Sequence, residues 1–383
     1  MKKILIFLLI LCLCGCAAQE IPTPPAEPET EVAEIPAEPV LPPDPDPILT
    51  PYMDVTVDGQ ALPGGCVQIE GTPYVALEEL LDALRAEYTD PCDFHLEFTA
   101  VKLAEDSAMA VFPEENRAEF LSAPAVEAND RLYVPLDLCK MLDMSLYEQA
   151  DPSMLYITSE NGDFDIPEGY RVPTLMYHAV SDDIWGYSTL FFSPANMEKH
   201  LQYLNENGFT TIHFSDLKYI EQIEKPIMLT FDDGYLNNYT ELYPLLQKYN
   251  CKATIFVVTN ALGTNPNYMT WEQAKEMADS GLVSIQNHTM SHPMLHLLTA
   301  EEQEKEIAGA QQAILEHLGR EPYVLCYPTG QYNTDTLSIT EKYCDFALKM
   351  DGGDYITGQN PFEVNRWYVP RNLDLWTFMD MAN

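Results

Sequence analysis

Positive charge is scarce in this chain: of 383 residues, 20 are Lys or Arg against 60 Asp or Glu, a formal charge of −40. That balance repels phosphate, so it excludes a nucleic-acid partner and a polybasic grip on an anionic membrane, and it suits a neutral or cationic polymer. Long apolar runs are lacking too. The one candidate, Ile4 to Leu13, is about ten residues, half of the roughly 20 that a spanning helix needs. With Lys2 and Lys3 before it and Cys14-Gly15-Cys16 after it, it has the layout of an export signal. Cysteine is too sparse for a disulfide framework. Once Cys12 and Cys14 leave with the signal, Cys66, Cys92 and Cys139 fall in one region and Cys251, Cys326 and Cys344 in another. An odd number in each predicts buried thiols, with a Cys66–Cys92 bridge as the alternative.

Leu13-Cys14-Gly15-Cys16 resembles the bacterial lipobox. The resemblance implies a signal peptide over 1–16, lipidation of Cys16, and a chain held to the cell envelope on the extracellular face of the bacterial membrane without a spanning helix. A plain secretory signal that is cut away is the alternative. Residues 17–50 are dominated by Pro and Glu and contain no Lys or Arg. They cannot bury enough apolar surface to offset their ordering entropy, so a disordered, extended tether is expected.

Two folded regions follow. Over 51–160, strand signals at Val55-Thr56-Val57 and Val67-Gln68-Ile69 accompany two similar passages, Tyr74-Val75-Ala76-Leu77 and Tyr133-Val134-Pro135-Leu136, each leading into helical periodicity. This weak repeat resembles the small α+β stalk domain named for the amine oxidase N-terminus, which implies a spacer or wall-binding module. Over 165–383, strand and helix signals alternate. A strand is expected over Val172 to Tyr177 with Pro173 near its start, then a helix capped by Ser193, strands at Ile227–Phe231 and Ala253–Val258, and a helix from Trp271. Val283–Ile285, a long helix capped by Thr299 with Glu302, and strands at Tyr323–Tyr327, Phe346–Leu348 and Val364–Val369 complete the series. Alternation of this kind means parallel strands under helices. The fold class expected is α/β, a distorted β/α barrel with functional residues at the carboxyl ends of its strands and a smaller α+β domain before it.

Read alone, Phe231-Asp232-Asp233-Gly234 is an ordinary turn and the two imidazoles of His288-Thr289-Met290-Ser291-His292 are an ordinary pair. Both follow apolar strands, however, at what would be the same end of a barrel. Two His and one carboxylate make a three-ligand site for a divalent ion with positions left for water and substrate. Thr230-Phe231-Asp232-Asp233-Gly234 and His288-Thr289-Met290-Ser291-His292 resemble the first two motifs of the polysaccharide deacetylases, carbohydrate esterase family four, with Tyr327-Pro328-Thr329-Gly330 in place of the third. The resemblance spans about Val172 to Phe378. It implies hydrolysis of N-acetyl groups on an amino-sugar polysaccharide such as peptidoglycan, poly-N-acetylglucosamine or a chitin-like oligomer. It further implies that Asp233, His288 and His292 bind a divalent metal, zinc above all with cobalt or nickel as alternatives. Asp232 would be the general base, and the backbone N–H of Thr329 a donor to the oxyanion.

The leaving amine needs a proton donor, and no His follows His317. His178, at the end of the first barrel strand, is the candidate, as in family members whose motif order is circularly permuted; a packed strand-end histidine is the alternative. Cys326 stands where the third motif commonly has Arg, and Arg366 resembles the last-strand Arg of related sequences that could orient Asp232; a surface arginine is the alternative. Tyr327 and Tyr332 are candidates for stacking on sugar rings. The competing readings are a catalytically silent carbohydrate-binding lipoprotein on the same barrel, which loss of Asp232 or of a histidine would have favoured, and a wall-tethered adhesive lipoprotein whose function lies in the stalk domain.

Overall fold

A computed structural model describes residues 47–96, 99–103, 108–113, 117–142, 144–150, 153–159 and 166–383. The signal peptide, Cys16 and the Pro/Glu-rich segment as far as residue 46 lie outside the described residues.

The N-terminal domain is built on a seven-stranded sheet and a five-stranded antiparallel meander. The two similar sequence passages turn out to be partners. Thr72–Ala76 and Arg131–Pro135 pair antiparallel with Val75 opposite Val134, and each hands over to a short helix, Leu77–Ala83 and Asp137–Met141. Alternate residues of these strands feed one core: Val75, Leu77, Leu80, Leu81, Val134, Leu138 and Cys139 pack with Phe94, Val101 and Phe112 from the meander. The six cysteines described are thiols in this structure, and that of Cys66 donates to the Val67 carbonyl.

The C-terminal domain is a curled parallel sheet whose strands are β1 (Thr174–Tyr177), β2 (Pro226–Phe231), β3 (Ala253–Val257), β4 (Val283–Asn287), β5 (Val324–Cys326), β6 (Phe346–Leu348) and β7 (Trp367–Tyr368). Across the sheet they run β6-β5-β4-β3-β2-β1-β7. The last segment reaches both edges: Val364 bridges Leu348 at the end of β6, and Trp367 and Tyr368 pair with Leu175 and Met176 of β1. This single bridge closes the distorted barrel. The first strand is shorter than the apolar run predicts. Pro173 has no N–H to give a ladder, so Arg171–Val172 leave the sheet to pair with Tyr355–Ile356, and β1 begins at Thr174.

Period-two alternation divides the strands' side chains. Leu175, Tyr177, Leu229, Phe231, Ile255, Val257, Val283 and Ile285 pack outward against helix residues such as Met197, Leu201, Leu204, Leu246 and Met277. Met228, Phe256, Val324, Cys326, Phe346 and Leu348 fill the interior. The long helix Ala300–Leu318 starts as its sequence indicates, with Thr299 accepting from Glu302 N and Glu302 returning to Thr299 N. The helix Pro194–Glu206 begins differently: Ser193 makes no side-chain cap, and Pro194 at the first position, which lacks an N–H to satisfy, supplies the start.

The two domains meet backbone to backbone. A Cβ on Gly59, whose φ is +76°, would fall 1.9 Å from the Leu318 carbonyl oxygen, and Gly319 faces Gly59 in turn. Lys275 Nζ donates to Gly59 O at 3.0 Å, and Arg320 lies 3.8 Å from Asp58 and 3.4 Å from Asp279. Gly59→Ala is expected to destabilise this junction by about 1–3 kcal/mol, from overpacking combined with a positive φ. Thermal unfolding and limited proteolysis of the variant check this; an unaltered melting temperature would mean that the contact is not tight.

Candidate active site

Strand register brings the motif residues together. Because side chains alternate, Asp232 continues the inward series of Met228 and Thr230, and its N–H donates to Tyr177 O at 3.0 Å as though β2 had not ended. A straight strand would then turn Asp233 outward. Instead Asp233 and Gly234 take φ of 76° and 77°, and the reversal brings the second carboxylate back to the mouth. Gly234 is required twice over, since a Cβ there would also lie 2.9 Å from Val257 Cγ1. On β4 the inward positions are Ser284, Gln286 and then His288. Asn287 is in register with Leu325, so His288 lies beside Cys326 and its Nδ1 is 2.7 Å from the Cys326 carbonyl.

That hydrogen bond fixes the tautomer. Nδ1 carries the proton and Nε2 the free lone pair, 3.6 Å from Asp233 Oδ1; His292 Nε2 is 3.7 Å from the same oxygen. Burial pushes the His288 imidazole down to about 4, outweighing the nearby carboxylates, so it is neutral at physiological pH. The ligand atoms of Asp233, His288 and His292 lie within 4.8 Å of one another. Two imidazoles and a carboxylate converging on one point fit a divalent ion with borderline ligand preferences. The loop that carries the second histidine is clamped: Asn287 Oδ1 accepts from Thr289 N, Thr289 Oγ1 from His292 N, and Glu306 from both N and Oγ of Ser291.

Asp232 occupies a different environment. Arg366 is wholly buried, not a surface arginine, and grips the carboxylate as a fork with Nη1 to Oδ1 at 2.7 Å and Nη2 to Oδ2 at 2.9 Å. Its remaining donors go to Thr230 Oγ1, Cys326 Sγ and Lys349 O. Burial alone would raise the Asp232 carboxyl. The Arg366 charge and hydrogen bonds, aided by His178 and His288, outweigh it and hold the group well below the usual carboxylate range. His178 follows β1, places Nε2 3.8 Å from Asp232 Oδ2, and leaves its buried Nδ1 without a protein partner among the described residues.

Thr329 is exposed at the tip of the Pro328–Gly330 turn in a left-handed conformation, φ 61°, three residues beyond the carbonyl that holds His288. Tyr327 requires a correction: it is fully buried, and its hydroxyl donates to Phe362 O at 3.0 Å, so it is a core residue that no sugar can reach. Tyr332 is half-buried, stacked on Tyr327 at 4.8 Å, with its hydroxyl on Glu363.

Residues 219–344 match the family model described as polysaccharide deacetylase. That stretch is therefore similar to a polysaccharide deacetylase domain. It is 35% identical over 177 residues to YxkH of Bacillus subtilis (strain 168), a candidate polysaccharide deacetylase by name; the match takes in 45% of this chain and 61% of that protein. A poly-beta-1,6-N-acetyl-D-glucosamine N-deacetylase of Staphylococcus aureus (strain N315) is 25% identical over 218 residues, 52% of this chain and 72% of the relative. Among solved structures, the polysaccharide deacetylase BC0361 of Bacillus cereus superposes with a TM-score of 0.54 at 24% identity. It covers 76% of this chain and 95% of its own, a share of this chain larger than the barrel alone, and shows the same fold.

Two features of the deacetylase domain were missed in the sequence. Cys326 was noticed only as a departure from the third motif, yet its Sγ packs 3.6 Å from Asp232 Oδ2 and 3.0 Å from Arg366 Nη2. Tyr235 and Tyr268 form an antiparallel bridge, and both phenols are raised, chiefly by burial and then by the nearby Asp233 carboxylate. The position of Tyr235 directly after Gly234 was the available signal.

Arg366→Met is expected to cost about 3–5 kcal/mol at pH 7, because it strands a buried charge. The wild-type pair depresses the folded pKa of Asp232 below the roughly 3.9 of an unfolded aspartate. Its stabilisation is therefore complete above about pH 4 and is lost only as pH falls through the folded value. In the variant the stranded carboxyl moves up, so the deficit should narrow between pH 7 and pH 5. Denaturant titrations at both pH values measure this, and a constant gap would show that the fork acts by packing and not by charge.

Proposed function

We propose that this chain is a metal-dependent N-deacetylase of an extracellular amino-sugar polymer, poly-N-acetylglucosamine first among the candidates, and that lipid on Cys16 holds it to the outer face of the cell membrane. The observation that carries this reading is the juxtaposition at one mouth of a neutral His288, His292 and Asp233 with the Arg366-clamped Asp232 and with His178. The polymer is suggested by the Staphylococcus aureus relative. The export signal at 1–16 and the acidic, Pro-rich 17–50 support the location.

Asp233, His288 and His292 would hold the ion, zinc by the chemistry of the donors, with cobalt or nickel able to replace it. When bound, such an ion acidifies water and polarises a carbonyl. Asp232, kept ionised and fixed in orientation by Arg366, takes the proton of the attacking water; so depressed a carboxylate is a weak base, and its contribution comes from position. His178, with Nε2 3.8 Å from Asp232 Oδ2, protonates the departing amine. The Thr329 N–H stabilises the oxyanion, a contribution of about 3–4 kcal/mol for a well-aimed donor. The N-terminal domain serves as a spacer that carries the barrel away from the membrane.

The test is acetate release from N-acetylglucosamine oligomers and peptidoglycan by zinc- or cobalt-loaded protein. Wild-type release should vanish with a chelator, and Asp232→Asn should fall by about 10²–10⁴-fold while retaining metal. His288→Ala should lose stoichiometric metal by elemental analysis. A protein that binds metal yet releases nothing from any polymer would favour the silent carbohydrate-binding reading, and one that binds no metal would remove the proposed site.

A further inference from the structure

The loop between β1 and the helix Pro194–Glu206 leaves the barrel at the same end as Asp232 and His288, and in it Ile184, Trp185 and Tyr187 are 42%, 42% and 81% exposed. Three large apolar side chains within four residues are out of place on the surface of so acidic a chain. The indole is not loose. Its ring meets Phe191 edge-on at 5.1 Å and Tyr235 edge-on at 4.9 Å, and Tyr235 packs in turn against Tyr268 at 5.0 Å. Tyr235 directly follows Gly234 in the turn that carries Asp233. A continuous row of aromatic rings therefore runs from Tyr268 through Tyr235, beside the turn that carries Asp233, out to an indole whose remaining surface faces solvent, and Tyr187 follows two residues on.

We propose that Trp185 and Tyr187 form a stacking platform for the pyranose ring next to the one bearing the reacting N-acetyl group, which makes the site selective for oligomers over the single sugar. Aromatic faces suit the C–H-rich faces of a pyranose, and a rigid indole fixed by Phe191 and Tyr235 offers that surface at little entropic cost. Stacking at a non-reacting unit also places the acetamide over the metal ligands, so remote binding is converted into positioning. The proposal rests on the deacetylase reading above.

The experiment compares N-acetylglucosamine with its β-1,4- and β-1,6-linked pentamers as substrates of the zinc-loaded full chain, in wild type, Trp185→Leu and Tyr187→Ala. Tyr187 is exposed enough that its variant folds whatever happens at Trp185. Wild-type kcat/KM should rise with chain length, and the variants should lose that rise, with KM for the pentamer up tenfold or more and kcat moved far less. Equal losses on monomer and pentamer would overturn the platform. So would a Tyr187-dependent partition onto phosphatidylglycerol vesicles with pentamer KM untouched, which would make the loop a membrane contact. A second readout separates this proposal from the reaction itself: pentamer titrated into the Asp232→Asn protein should change tryptophan emission, and Trp185→Leu in that background should abolish the change. If wild type releases no acetate but this titration succeeds, the reading as a deacetylase fails and the platform stands; if the emission change survives Trp185→Leu, the platform fails alone.

Discussion

The buried fork between Arg366 and Asp232 is the interaction on which the rest of the site depends. One guanidinium, with no exposed surface, distributes its donors to the end of β2 through Asp232 and Thr230, to β5 through Cys326, and to the chain after β6 through Lys349. It comes from the segment that closes the barrel between Leu348 and β1. An isolated charge in such a place would be costly, and so would an isolated Asp232; together, with nearly every donor used, they are tolerated and geometrically fixed. Stability is not the main outcome of such pairs. What the fork secures is a carboxylate that remains ionised and cannot rotate, on a strand pinned to the opposite edge of the sheet.

Strain is concentrated around that fixed point. Asp233, Thr289, His292 and Thr329 all have positive φ without being glycine, and each belongs to a motif loop at the carboxyl ends of the strands. Such conformations cost on the order of 1 kcal/mol or more each and persist only where surrounding bonds over-determine them. Here those bonds are visible: Asn287 and Glu306 hold the histidine loop, and the Cys326 carbonyl holds His288. The strain is what allows adjacent residues in sequence, Asp232 and Asp233, to serve separate tasks in one pocket.

Much of this was legible in the sequence. Apolar runs give β2, β3 and β4, the cap at Thr299 gives the start of the long helix, and the Asp-Asp-Gly and His-x-x-x-His spacings give the metal-ligand candidates. What escaped notice is what depends on contacts between distant segments. Pro173, with no N–H to give a ladder, splits an apparently single strand, and Val172 before it pairs with the distant Tyr355. Tyr327 has the composition of a sugar platform, but β5 is so deeply interior that the ring is core. Arg366 is legible as the partner of Asp232 only through its resemblance to the last-strand Arg of related sequences, and its burial follows from barrel closure; Trp185 carries no motif at all, only an exposure that a sequence cannot report.

The position of His178 follows from strand order. Parallel strands in register place the residues just past their ends side by side. Tyr177 of β1 is opposite Phe231 of β2, so the next residue along β1, His178, necessarily comes beside the next along β2, Asp232, and the 3.8 Å between them needs no special loop. β7 lies against the other side of β1, so a proton donor supplied from the carboxyl terminus would approach the same mouth from one strand further away. A histidine at the end of either strand can therefore serve the carboxylate of β2. The edge of a closing sheet thus offers two adjacent strand ends beside one carboxylate, and His178 occupies the nearer.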